Sequence, residues 1–141
     1  MPSRLKRIGC GLLFSLASSM AWAEVVVVVS AHNPLATLTR SELADIYLGR
    51  TSRFPNGQPA TPLDQGESSP IYATFYREYL GQTPTQVKMH WSRLIFTGRG
   101  QPPRSLAGDR AMVDFVAAHA DAIGYLDDVH IDERLRVVTI D

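Results

Sequence analysis

The spacing of hydrophobic and polar positions predicts an α/β domain. Residues 25–29 form an unbroken run of valines, which is typical of a strand covered on both faces. Shorter apolar runs at residues 60–63, 122–126 and 135–140 predict three further strands. Between these runs the apolar residues recur at helical spacing, which predicts four helices.

The starts of the predicted helices are marked by capping residues. A T-x-x-E capping box at Thr39 begins the first helix, and a T-x-x-Q box at Thr83 begins the third. Ser69, followed by proline at the first helical position, begins the second helix. Ser105 is expected to cap the fourth. The order β-α-β-α-α-α-β-β predicts a three-layer α/β/α lobe, with a mostly parallel or mixed sheet and helices on both faces.

The first 23 residues have the layout of a secretory signal peptide. The basic start MPSRLKR precedes the apolar IGCGLLFSLASSM, and Ala21-Trp22-Ala23 supplies a small-x-small cleavage pattern. The alternative is a retained N-terminal membrane anchor, although the apolar run is short for a bilayer span. We therefore expect a signal peptide at residues 1–23, one domain at residues 24–141 and a periplasmic location.

Composition excludes several kinds of function. Cys10 is the only cysteine and lies in the predicted signal, so the domain has no thiol for a disulfide, a nucleophile or a metal. Without Arg4, Lys6 and Arg7 the domain keeps 11 Lys and Arg against 14 Asp and Glu. Such a mildly acidic domain is a poor general binder of nucleic acid or anionic lipid, so any anion site must be local. The histidines lack metal-ligand spacing and no nucleophile elbow is present, so we expect no metal, no cofactor and no catalysis.

The stretch GESSPIYATFY, residues 66–76, is the strongest candidate for a binding site. The start of a helix exposes unpaired N–H groups and the positive end of the helix dipole, where phosphate, sulfate and carboxylate groups bind. Ser68 and Ser69 would add hydroxyl donors. The alternative is that Ser69 merely caps the helix by accepting a hydrogen bond. Pro70 removes one donor, and Glu67 adds a charge that repels anions.

Ser30 and Asn33 form a second candidate group, because they follow the first strand at its carboxyl end. Open α/β sheets bind ligands beyond that edge. Asn33 precedes Pro34, which biases its backbone to an extended conformation, so its amide is expected to point into the crevice. The alternative is a plain turn.

The order of these motifs resembles the phosphate-binding periplasmic component of ABC transporters. Asn33-Pro34, the helix LTRSELADIYLGR, a proline-bounded short strand, Ser69 with Phe75 six residues on, and AIGYL follow one another as in that family. The likeness covers nearly all of residues 24–141. The family's fold is two α/β lobes closing on an anion, whereas this chain is far shorter and resembles the small single-domain form.

The resemblance implies a periplasmic solute-binding protein without catalytic activity, for phosphate or a similar small oxyanion. The ligand-binding residues would be Ser30, Asn33, Gln65, Ser68 and Ser69. Aligned on Phe75, the family's Ser-Gly-Thr becomes Ser69-Pro70-Ile71, so only the serine is kept. A single lobe cannot enclose its ligand, so a second copy in a homodimer, or a membrane partner, would supply the other wall. The alternative is a ligand-less interaction module that docks on a membrane sensor, porin or transporter.

Overall fold

The computed structural model describes residues 24–141, together with Gly9 and Gly11, so the predicted signal peptide and its Cys10 lie outside the described residues. The strands are β1 (Val25–Ser30), β2 (Thr37–Leu38), β3 (Thr61–Gln65), β4 (Arg104–Leu106), β5 (Ala122–Asp127) and β6 (Leu135–Ile140). The helices are α1 (Arg40–Tyr47), α2 (Pro70–Phe75), α3 (Pro84–Phe96) and α4 (Asp109–Ala118). A π-helical turn, Tyr76–Leu80, continues α2, and a 3₁₀ turn, Asp128–His130, follows β5. No helix in this part of the chain is long and apolar enough to cross a membrane.

The six strands form one mixed sheet in the order β2-β6-β1-β5-β3-β4. β1 is antiparallel to both of its neighbours, β5 and β6. The remaining pairs are parallel, so β1 runs opposite to the other five strands. The prediction of a mostly parallel or mixed sheet is confirmed in its mixed form.

Helices cover both faces of the sheet, which confirms the predicted three layers. Val25, Val27 and Val29 pack on the side that holds α1, α2 and α3. Val28 packs on the opposite side, against α4. Because successive side chains of a strand point to opposite faces, both faces of β1 must be apolar. This explains why the valine run is unbroken.

The predicted starts of α1 and α3 are confirmed, and the start of α4 is corrected. Thr39 and Thr83 each form a complete capping box. Ser105 does not cap a helix, because it lies in β4 and pairs with β3. The helix begins four residues later, at Asp109, after Gly108 with φ 93°. Side-chain-bearing residues rarely adopt such a positive φ, so glycine is favoured at this entry to the helix.

Three short elements were not predicted. β2 and β4 have two and three residues and lie at the two edges of the sheet, where too few positions alternate to give a hydrophobic pattern. The π-helical turn after α2 has the apolar spacing of an ordinary helix, and it ends at Gly81 with φ 63°.

Candidate functional site

A cleft of about 980 Å³ lies beyond the carboxyl ends of strands β3 and β5, where α2 and α4 begin. Ligands of open α/β sheets commonly bind beyond the carboxyl ends of the strands. Its wall on the β3 and α2 side is made by Gln65, Ser69, Pro70, Ile71 and Thr74. Its wall on the α4 side and in the following loops includes Gly108, Asp109, Arg110, Asp114, Asp127, His130, Asp132 and Arg134.

Ser69 begins α2 with its side chain free of the helix. It has the extended backbone of an N-cap residue, φ −67° and ψ 134°, yet its side chain makes no capping hydrogen bond. The alternative in which Ser69 caps the helix through its hydroxyl is therefore not what the structure shows. Ser69 is part of the cleft wall, whereas its neighbour Ser68 is exposed and is not. The hydroxyl of Ser69 is thus available to a ligand in the cleft.

Gln65 is the last residue of β3 and is buried at the base of the cleft, with an exposed fraction of 1%. Its Nε2 donates to Asp109 Oδ1 at 2.9 Å and to the Tyr125 carbonyl oxygen at 3.2 Å. Because both partners only accept hydrogen bonds, they determine the orientation of the amide. The Gln65 Oε1 has no partner among the described residues. A ligand or water that donates a hydrogen bond would satisfy it.

The cleft contains charges of both signs, with carboxylates in excess. Its cations are Arg110 and Arg134, and its carboxylates are those of Asp109, Asp114, Asp127 and Asp132. Arg134 pairs with Asp132 at 2.8 Å and with Asp114 at 3.3 Å. Hydrogen bonds from Arg134 lower the pKa of the Asp132 carboxyl. Of the two cations, Arg110 has no carboxylate partner within residues 24–141.

Asp109 is the carboxylate that opposes an anion most directly, because it lies in the first turn of α4. Its Oδ1 accepts from Gln65, its Oδ2 accepts from the Asp127 N–H at 3.3 Å, and His130 Nε2 lies 3.6 Å from Oδ2. The positive end of the α4 dipole is therefore already matched by a carboxylate of the chain. The start of α2 differs, since Glu67 lines a smaller cavity on the other side and is not part of the cleft wall.

Asp64, next to Gln65 in β3, is a buried carboxyl group on the opposite face of the strand. It accepts hydrogen bonds from the Tyr76 hydroxyl at 2.7 Å, from the Gln65 N–H at 3.0 Å and from the Tyr125 hydroxyl. Burial raises the pKa of the Asp64 carboxyl, although the hydrogen bonds from the tyrosines oppose this. Phe75 stacks on Tyr125 with ring centroids 3.8 Å apart. Asp64 thereby connects the end of β3 to β5 and to the turn after α2.

Ser30 and Asn33 lie at the other end of the strands from this cleft. Because β1 is antiparallel to β5, its carboxyl end lies beside the amino end of β5, with Val29 opposite Ile123. The Ser30 hydroxyl donates to the Ala117 carbonyl oxygen at 3.3 Å, and the Asn33 Nδ2 donates to the Ala120 carbonyl oxygen at 2.9 Å.

The Asn33 amide does not point into the cleft beside Ser69. Its Oδ1 also accepts from the Leu35 N–H at 2.9 Å, so both ends of the amide bond to backbone groups. Asn33 lines a separate cavity with His32 and Asp121. The structure brings Gln65 and Ser69 together in the cleft and holds Ser68 beside it. Ser30 connects the end of β1 to the last turn of α4, and Asn33 connects it to the residues between α4 and β5.

Asp109, Arg110 and Arg134 were not predicted as cleft residues. With α4 expected to begin at Ser105, Asp109 would lie inside a helix, whereas the structure places it at the start. The available signal was Gly108-Asp109, a glycine before an acidic residue that favours the positive end of a helix dipole. Within the described part of the chain, no three His, Cys, Asp or Glu side chains are grouped so that they could hold a metal ion.

The fold is that of phosphate-binding proteins of ABC transporters. An ABC-type phosphate transport receptor from Vibrio cholerae matches with a TM-score of 0.67 at 18% identity, over 84% of this chain and 46% of that one. A protein from Clostridium perfringens, assigned as a phosphate ABC transporter substrate-binding protein and solved with bound phosphate, matches with a TM-score of 0.66 at 17% identity, over 84% and 45%. PstS from Borrelia burgdorferi matches with a TM-score of 0.64 at 13% identity, over 84% and 47%.

These matches confirm the resemblance at the level of the fold. The chain spans less than half the length of each of these proteins. No protein-family model matches the chain, and no curated protein matches it in sequence.

Proposed function

We propose that the protein is a periplasmic solute-binding protein, not an enzyme, which holds a small oxyanion such as phosphate in the cleft between α2 and α4. The observation that carries this proposal is the Ser69 hydroxyl, which lies at the start of α2 within the cleft wall and makes no bond to its own helix. A free hydroxyl at a helix start suits an oxyanion. Pro70 has no N–H and the Tyr72 N–H donates to the Ser69 carbonyl oxygen at 3.2 Å, so Ile71 would supply the backbone donor. The shared fold with proteins whose names state phosphate binding supports the same ligand class.

The remaining predicted residues have different places in this proposal. Gln65 would contact the ligand from the base of the cleft through Oε1, which accepts from a protonated oxygen of hydrogen phosphate, because both Nε2 hydrogens are already used. Ser68 would contact the ligand from the rim. Arg110 would supply a positive charge, since it has no carboxylate partner within residues 24–141. Ser30 and Asn33 would only stabilise the fold, because they lie at the opposite end of the strands from the cleft.

Binding to the isolated chain is expected to be weak, on the order of 1 mM. The cleft has four carboxylates against two arginines, so an anion enters against a net negative charge. The chain also covers under half of each two-lobed relative, so the ligand would have one wall exposed to water. A membrane transporter or sensor, or a second copy of the chain, would supply the missing wall.

Titration of phosphate, sulfate and acetate into the purified chain, followed by calorimetry and amide chemical shifts, tests this proposal. We expect phosphate to shift the amides of residues 65–73 and Ser69→Ala to weaken binding about tenfold or more. Ser92→Ala is the matched control, because Ser92 is an exposed serine on α3 whose hydroxyl donates to the Lys88 carbonyl oxygen. If phosphate causes no shift in this segment at saturating millimolar concentration, the proposal is wrong.

A second candidate is an interaction module that binds no solute and docks on a membrane sensor, porin or transporter. The observation that favours it is Asp109, which already occupies the start of α4 and accepts from Gln65. In this case the cleft would be closed by the chain's own groups. The titration separates the two candidates, since only solute binding depends on Ser69.

A further inference from the structure

The charges of the chain are strongly segregated. Residues 79–108, between Glu78 and Asp109, contain no acidic residue. This segment carries Lys88, Arg93, Arg99 and Arg104, whereas the rest of residues 24–141 carries seven basic residues against fourteen acidic ones. The nearly balanced overall charge therefore conceals a basic segment in an acidic domain. The segment consists of α3, the loops beside it and β4.

Exposed apolar side chains are concentrated in the same segment. Met89 and Ile95 are 52% and 55% exposed, and Phe96, the last residue of α3, is 92% exposed. Only two other large apolar side chains of the described residues are comparably exposed, Val129 and Val137. Burial of such side chains in a partner would be favourable, by about 1.5–3 kcal/mol for complete burial of a phenylalanine or methionine.

The outer side of α3 carries both apolar and basic side chains. Val87 and Trp91 bury the inner side of the helix against the core. At 100° per residue, Met89, Arg93 and Phe96 lie almost opposite Trp91. We define the α3 surface as this outer side, the flanking residues Lys88 and Ile95, and Arg99 in the loop that follows the helix.

The cations of the α3 surface have no carboxylate partners. Lys88, Arg93 and Arg99 form no salt bridge with any residue of the described chain. By contrast, Arg50 and Arg134 are paired with aspartates. Lys88 lines a small cavity together with Asp64 and Glu67, so these acids oppose part of its charge. Arg93 and Arg99 are the cations that would attract an anionic partner, and this attraction is strongest at low salt.

We propose that the α3 surface is a peripheral docking site for an anionic lipid bilayer. The charges complement acidic headgroups, and Met89 and Phe96 project from the outer side of a helix beside Arg93, which suits insertion at the level of the headgroups. A bilayer accepts a projecting Phe96 without a complementary pocket, so it fits this surface better than a protein does. The proposal does not depend on solute binding, because the α3 surface and the cleft are formed by different residues.

Co-sedimentation with vesicles tests the proposal on the full chain. Vesicles made of equal parts phosphatidylglycerol and phosphatidylcholine are compared with vesicles of phosphatidylcholine alone. We expect binding to the anionic vesicles only, and a loss of binding when added salt shortens the Debye length from about 10 Å to about 3 Å. The N-terminal residues 1–23 are common to all variants, so a difference between variants reports on the α3 surface.

Two variants with matched controls locate the contact. Arg99→Glu should weaken vesicle binding about tenfold or more, since it removes one positive charge and adds a negative one. Arg77→Glu makes the same change of charge at an exposed position outside the surface and should have a smaller effect. Phe96→Ser should weaken binding about fivefold or more. Val129→Ser, at a position that is 70% exposed, should leave binding unchanged.

Four results would overturn the proposal. Equal binding to both kinds of vesicle, or no binding at millimolar lipid and low salt, would exclude anionic headgroups as the partner. Equal losses in each variant and its control would exclude the α3 surface. Self-association that Phe96→Ser abolishes, measured by sedimentation velocity without lipid, would assign the surface to a second copy of the chain. The variants are expected to fold, because all four positions are exposed.

Discussion

The cleft and the α3 surface offer two different ways to attract a negatively charged partner. The cleft supplies a helix start, a hydroxyl group and a concave shape, but four carboxylates surround them. The α3 surface has three basic residues without salt-bridge partners, Lys88, Arg93 and Arg99, in an acid-free segment, and its exposed side chains project from the protein. The first arrangement suits a small ion that hydrogen bonds at short range. The second suits an extended charged surface that acts at longer range.

The comparison shows that net charge is a poor guide to the partners of this chain. A nearly neutral sequence contains a basic segment and an acidic remainder, and each has its own electrostatic field. The opposite charges are kept apart because residues 79–108 form α3, the loops beside it and the edge strand β4, and α3 packs on the core only through its inner side. The two regions can therefore be altered independently.

The largest effect is expected from Trp91→Ala, which removes the support of the α3 surface. Trp91 is 7% exposed, so its loss should lower the free energy of unfolding by about 3–5 kcal/mol. Phe96→Ala on the same helix is the control and should change it by about 0.5 kcal/mol or less, because Phe96 is almost fully exposed. Urea denaturation measures both values. Similar losses in the two variants would show that α3 is not anchored through Trp91.

Tyr125→Phe should weaken the packing that holds the end of β3 beneath the cleft. It removes one of the hydroxyl donors to the buried Asp64 carboxyl, which should lower the free energy of unfolding by about 1–3 kcal/mol. Tyr72→Phe is the matched control, since Tyr72 packs against Tyr76 at 4.9 Å and does not donate to Asp64. An equal cost in the control would mean that hydroxyl loss in general, and not the Asp64 bond, is responsible.

The pH dependence of stability should differ in sign between two carboxyl groups. Burial raises the pKa of Asp64 above its ordinary value of 3.8, so the folded state keeps this proton to a higher pH than the unfolded state. Its contribution to stability is therefore fully present below the unfolded pKa and is lost as the pH rises through the folded pKa. Relative to Asp64→Asn, the parent chain should gain stability as the pH falls from about 7 to about 4.

Asp132 gives the opposite comparison, because hydrogen bonds from Arg134 lower its pKa. Its contribution is present above the unfolded pKa and is lost as the pH falls through the folded pKa. Relative to Asp132→Asn, the parent chain should therefore lose stability on acidification, and only slightly because the pair is exposed. Urea denaturation at several pH values measures both stability differences. If both differences change in the same direction with pH, the opposite pKa shifts of Asp64 and Asp132 are contradicted.

The smallest effect is expected from Asp109→Asn, which should change phosphate binding in the cleft but not vesicle binding at the α3 surface. It removes one negative charge from the cleft while the asparagine oxygen can still accept from Gln65, so phosphate binding should strengthen severalfold. Vesicle binding should not change, because Asp109 is not part of the α3 surface. Asp45→Asn is the control at an exposed position outside the cleft. Phosphate binding that weakens in Asp109→Asn would show that this carboxylate assists the ligand.

Much of the fold could be predicted because its signals are local. The valine run of β1 and the capping boxes at Thr39 and Thr83 each depend on residues close in sequence, and all three are confirmed. The start of α4 could not be predicted correctly, because Ser105 has the local character of a cap but pairs with β3, more than 40 residues earlier. Pairing between strands so far apart in sequence cannot be recognised from a short window of residues.

The candidate site was predicted in part for the same reason. Gln65 ends a strand and Ser69 precedes the next helix, so local order alone places both residues near one end of the strands. Ser30 and Asn33 were placed at that end on the assumption that β1 is parallel to its neighbours. The direction of β1 depends on pairing across the whole sheet. Because β1 is antiparallel to its neighbours, both residues lie at the opposite end of the strands.

The sequence by itself determined the longer strands, the starts of α1 and α3, the two apolar faces of β1 and the acid-free segment, since these follow from periodicity, capping and charge along the chain. Only the tertiary structure decided the direction of β1, the burial of Asp64 and the carboxylates that share the cleft with Ser69. The physical reason is that solvation and electrostatic interactions depend on distances between residues that are far apart in sequence, and those distances exist only once the strands have paired.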